Sequence, residues 1–154
     1  MRTADLLGAI HEALSLTTLA MVALHGVALL GDSYLNPGLG GITIPFVGFY
    51  RPLWTALGIL AGYGLAALGL TYYLRERIGA ARWRRLHRLT AAFWLLAIAH
   101  TIGAGSDAAE WWFLIASSGF VVPAALLLAL RWIGRLWDTG PELARASHQG
   151  TISS

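Results

Sequence analysis

Four of the five histidines in this 154-residue chain fall in two matched pairs within an apolar setting. His11 and His25 lie 14 residues apart, and His87 and His100 lie 13 apart. On a helix rising 1.5 Å per residue, each pair spans roughly 20 Å. Were the two helices parallel, His11 would come level with His87 and His25 with His100. Each level would then offer one imidazole from each of two helices. A six-coordinate iron in a flat macrocycle takes one such nitrogen from either side, so the pattern points to haem ligation at two depths. Zinc would ask for a tetrahedral cluster rather than two ligands per level. A proton relay would ask for carboxylates at depth, and only Glu12 is at hand, close to the edge.

Rotation about the helix is a second test. At 100° per residue, 14 residues return to within ~40° of the starting face. Thirteen residues leave His87 and His100 ~140° apart. The second pair therefore predicts a local 3₁₀ or π irregularity, a tilted helix, or haems at different azimuths.

The elements that must carry these histidines read as membrane spans. The chain is 56% hydrophobic and 12% charged, with a mean hydropathy of +0.61. A soluble domain carries about twice that charge. No cysteine is present, which excludes disulfides, thiolate metal sites and iron–sulfur ligation. Apolar stretches over about 6–30, 53–74, 86–102 and 111–133 approach or reach the length needed for a ~30 Å hydrocarbon core. The first stretch lacks a short apolar core and a small-residue cleavage site, so it reads as a span rather than a signal peptide. Between the first two lies a turn-rich loop with Asn36-Pro37-Gly38 and Gly40-Gly41. Its apolar run Ile42–Val47 is too short to cross and is expected in the interface or folded back over the bundle mouth. Gly58, Gly62 and Gly69 mark close approach on the second span.

All eleven basic residues are arginine, and six of them lie in the connection 75–88 against the single acid Glu76. The positive-inside rule places that connection in the cytoplasm. The expected fold is all-α: an integral membrane four-helix antiparallel bundle with both termini cytoplasmic. The domain is expected over residues 5–137, followed by a polar cytoplasmic tail, 138–154.

On these residues the chain resembles the ferric reductase-like transmembrane domain family. This group includes the membrane parts of ferric reductases and NADPH oxidases and a bacterial methionine-sulfoxide-reductase haem subunit. The resemblance rests on His11 and His25 on one helix, and on His87 and His100 two helices later with the same unequal spacing. Shorter runs add to it: Trp83-Arg84-Arg85-Leu86-His87-Arg88-Leu89, Gly105-Ser106-Asp107 and Tyr50-Arg51-Pro52-Leu53-Trp54.

The resemblance implies two haem b groups stacked across a plasma or inner membrane. His11 and His87 would hold the inner haem iron, and His25 and His100 the outer. Phe93 would take the place of an aromatic between the haems. Arg84, Arg85 and Arg88 would serve the inner propionates, although lipid headgroups and topology are the blander use of such arginines. Arg51 would serve the outer ones. No Gly-rich nucleotide motif follows the last span, so electrons are expected from a separate flavoprotein, a quinol or another membrane subunit. They would pass to an acceptor on the outer side. Lipid is the expected surrounding, and nucleic acid is not an expected partner. Whether the chain is itself an enzyme is left open. The competing reading is a non-catalytic anchor or assembly subunit that keeps the family fold.

Overall fold

The computed structural model describes residues 3–150, with side chains described except at Ala4 and over 135–150. The described residues are helical, with turns and no strand. They divide into two compact units, 1–108 and 109–154.

The first unit contains six helices. α1 (Thr3–Leu30) and α3 (Pro52–Leu70) are long and apolar enough to cross a membrane. Pro52 occupies the first turn of α3, where its missing N–H costs nothing. Hydroxyls along α1 return to the helix: Ser15 donates to the His11 carbonyl at 2.7 Å, and Thr17 and Thr18 do the same four residues back. Polar side chains are thereby satisfied where lipid offers no partner.

The loop after α1 folds back along the bundle. An Asx turn opens it, with the Asp32 carboxylate accepting from the Tyr34 and Leu35 amides. The short α2 (Gly38–Thr43) then packs against α1 and α3. Its last carbonyl, on Thr43, accepts from the Tyr63 hydroxyl at 2.7 Å. Tyr63 lies eleven residues into α3, roughly 16 Å along that helix. Thr43, within Ile42–Val47, is thereby tied back onto α3.

The basic connection forms two short helices, α4 (Arg75–Ile78) and α5 (Ala80–His87), joined at Gly79 with φ +87°. α6 (Thr90–Ala104) follows. The expected third span, 86–102, is therefore broken. His87 ends α5 and is not on α6. With 15 residues, α6 is about 22 Å long, short of a full crossing by itself.

α3 is the hub of this unit. It packs most extensively on α6 and also on α1, α2 and α5. The buried apolar side chains are Ala56, Ala61 and Leu68, all on α3. Most large apolar side chains instead face outward, as in a protein whose solvent is hydrocarbon. Small residues set the helix contacts. Gly62 faces the Val22 side chain and Gly69 faces Leu19, so both let α1 approach α3 as expected. α3 and α6 run antiparallel with a register fixed at three points: Trp54 against Gly103, Gly58 against His100, and Gly64 against Phe93.

The second unit consists chiefly of α7 (Trp111–Gly150). Its segment Trp111–Gly134 is the third helix of span length and apolarity. The helix runs on through the stretch expected as a polar tail as far as Gly150. The last four tail residues, 151–154, lie outside the described residues.

Candidate functional site

The structure brings the histidines together in the pairs that the spacing suggests. The rings of His11 and His87 are 6.1 Å apart, centre to centre, with planes at 89°. Those of His25 and His100 are 6.4 Å apart, with planes at 70°. A metal–imidazole bond of about 2 Å, with roughly 1 Å more to the ring centre, puts two imidazoles on one ion about 6 Å apart. Both separations suit an ion held between the rings. The twist between the planes would be no obstacle to such a group. Among the described residues no group of three or more His, Cys, Asp or Glu could hold a bare metal ion. Each level offers two imidazoles, as a metal already bound in a macrocycle requires.

The turn between α5 and α6 accounts for about half of the angular offset of the second pair. The amides of Leu89, Ala91 and Ala92 bond three residues back, to Leu86, Arg88 and Leu89, at 2.9, 3.4 and 2.9 Å. Each 3₁₀ step turns 120° rather than 100°, so a few of them recover roughly 60–80° of the ~140° offset. His87 and His100 can then both reach toward α1.

The His25–His100 pair is seated on backbone. His100 Nδ1 lies 2.9 Å from the Trp54 carbonyl. Were Nε2 to hold a metal, Nδ1 would carry the proton and donate to that oxygen, which would fix ring and tautomer. The His100 ring also rests on Gly58, where a Cβ would come within 2.5 Å of Nδ1. Just beyond, the Arg51 guanidinium donates to the Gly103 carbonyl at 2.6 Å and the Tyr50 hydroxyl to Ala104 at 3.2 Å. Both satisfy carbonyls that the end of α6 would leave bare, and the Arg51 charge suits the negative end of the helix. Arg51 itself has φ +39°. One of its five donors is engaged in this way, which leaves others for an anion at the outer level.

The His11–His87 pair has a different setting. The Trp83 indole stacks on His87, with centres 5.0 Å apart and planes at 21°. Tyr72 meets that indole edge-on at 6.0 Å. The Arg75 guanidinium lies 4.1 Å above the Tyr72 ring. His87 ends α5, outside the three candidate spans.

Three buried polar atoms here have no hydrogen-bond partner: Trp83 Nε1, His87 Nδ1 and Thr90 Oγ1. Residues 83, 87 and 90 recur at helical spacing, so all three rise from one face. Buried donors ask for an acceptor, and for Trp83 and Thr90 a cofactor carrying carboxylates would fit that need. Trp83 and Thr90 were not singled out as site residues from the sequence. The spacing of four between Trp83 and His87 was the available signal.

The remaining expected residues are placed as follows. Arg84 and Arg85 are exposed on α5, and Arg88 Nε donates to the Arg84 carbonyl at 3.4 Å. Phe93, half-buried on α6 between the two levels, lays its ring over Gly64 of α3.

Comparison with curated proteins and with solved structures returns no match. A family model does match: that of the ferric reductase like transmembrane component, over residues 2–98. The matched stretch takes in His11, His25 and His87 and stops two residues before His100, whose place is read from its ring contact with His25. With well over half its length inside the match, this chain belongs to the ferric reductase like transmembrane component family.

Proposed function

We propose that the protein is a membrane electron-transfer component carrying two haem b groups, one at each histidine level. His11 and His87 hold the inner group and His25 and His100 the outer. Membership of the family supports membrane electron transfer in general. The observation that carries the finer reading is the pair of ring separations, 6.1 and 6.4 Å, at two depths of one helix set.

Haem would supply reversible one-electron transfer, and the chain supplies its setting. The imidazoles ligate. The Trp54 carbonyl orients His100. The indole N–H of Trp83 and the hydroxyl of Thr90 would meet the carboxylates of the inner group, with Arg84 and Arg85 nearby in sequence. Arg51 holds the end of α6 and adds positive charge at the outer level. Phe93 occupies the space between levels. The loop carrying α2 shields the outer end of α1 and α3. We place the connection 75–88 and both termini in the cytoplasm on the positive-inside rule. α6, prolonged by α5, together with α7 would complete four crossings of a plasma or inner membrane. Electrons then enter at the inner level from a separate flavoprotein, quinol or membrane subunit. They leave to an acceptor on the outer side.

The haem-to-protein ratio of the purified chain, with a reduced-minus-oxidised spectrum, tests this reading. Two haems per chain with low-spin b-type bands are expected. A well-folded protein without haem would overturn it and favour a non-catalytic anchor subunit.

A further inference from the structure

The two levels differ in how the α5/α6 histidine is oriented. A metal-ligating histidine almost always donates its second ring N–H to an oxygen that fixes the ring plane. His100 has such an oxygen, the Trp54 carbonyl at 2.9 Å. His87 does not: its buried Nδ1 has no protein partner. A large flat ring lies against its face instead.

We infer that Trp83 is the positioning residue of the inner level, setting the plane of the His87 imidazole by stacking. The inference rests on the two-haem reading above. Trp83 and His87 are one turn apart on α5, so the helix itself brings the rings together. At 21° between planes and 5.0 Å between centres, rotation of the imidazole about its Cβ–Cγ bond drives its edge into the indole. The indole is in turn held. Tyr72 packs edge-on against it, and Arg75 clamps Tyr72 from above while its guanidinium donates to the Tyr72 carbonyl at 3.1 Å. Arg75, Tyr72, Trp83 and His87 thus form a continuous run of contacts from the basic connection to the inner histidine. Its consequence is a defined twist, 89°, between His87 and His11. The twist between axial imidazoles governs the anisotropy of a low-spin ferric haem, so the role has a spectroscopic signature independent of turnover.

The test is electron paramagnetic resonance of the oxidised protein, with a haem assay, for wild type, Trp83→Leu, Trp83→Phe and Tyr72→Leu. A His25→Ala protein, which empties the outer level, identifies the inner signal. Trp83→Leu is expected to shift the inner low-spin signal and weaken inner-haem retention by about 10–100-fold, with the outer signal unmoved. Trp83→Phe keeps a flat ring and lacks only the indole N–H, so it is expected to restore the signal and most, not all, of the haem content. Tyr72→Leu should shift the same signal less. Should Trp83→Leu lose the inner haem completely, restoration by Phe supports the role. A Phe variant as defective as Leu overturns it, as does a Leu variant with both signals unchanged. Wild-type protein without haem signals would instead remove the two-haem reading itself.

Discussion

At the outer level, His100 sits on two main-chain features of α3: the bare backbone at Gly58 and the Trp54 carbonyl. At the inner level, His87 sits on an indole and on no main-chain acceptor. The first arrangement is built where two long helices pack antiparallel. The second is built where the chain passes through two short helices and a tightened turn. A backbone oxygen can be removed only by moving the helix that carries it. A stacking side chain can be removed by one substitution. The same pair of imidazoles is therefore held by helix packing at one level and by side chains at the other.

The largest expected break in this comparison comes from the ligands. His87→Ala should lose the inner haem and His100→Ala the outer, each leaving about one haem per chain by pyridine haemochrome assay.

Next comes the outer seat. Gly58→Val puts methyl groups where the His100 ring lies, and α3 and α6 must separate or the ring must turn. Outer-haem retention should fall by about 10–100-fold while the inner group stays. Gly64→Val is the matched control. It displaces Phe93 rather than a histidine, so both haems should remain, with lowered thermal stability.

Smaller effects follow at the end of α6. Arg51→Gly keeps the left-handed backbone conformation, which glycine adopts readily, and removes the guanidinium from the Gly103 carbonyl. A hydrogen bond from a charged donor is worth about 1.5–3 kcal/mol. The expected loss of thermal stability is of that order, with any shift in redox potential confined to the outer haem. Tyr63→Phe should be milder, about 1 kcal/mol, because it removes a single neutral bond to Thr43.

Much of this arrangement could be read from residue types and spacing. The span-length apolar runs, the two histidine levels and the close approach at Gly58, Gly62 and Gly69 all follow from periodicity along a helix. The 13-residue spacing of His87 and His100 called for a local 3₁₀ or π irregularity as one of three options, but its place just after His87 could not be read, because Leu86–Ala92 contains neither glycine nor proline. It appears only as three hydrogen bonds reaching back three residues instead of four. The bonds of Tyr50 and Arg51 to α6 were equally hidden, since they join residues more than fifty positions apart. Gly64 and Gly103 gained meaning only with the α3–α6 register. Trp83 was visible within a motif, but its partner could not be named until α5 turned both rings to one face.

The central claim is that each level holds its own haem. The haem-to-protein ratio of the His100→Ala protein tests it most directly. The account predicts that one of two haems is lost and that the remaining one keeps its low-spin bis-imidazole spectrum. A ratio unchanged from wild type, or a fall to zero in a protein that still folds, would contradict it.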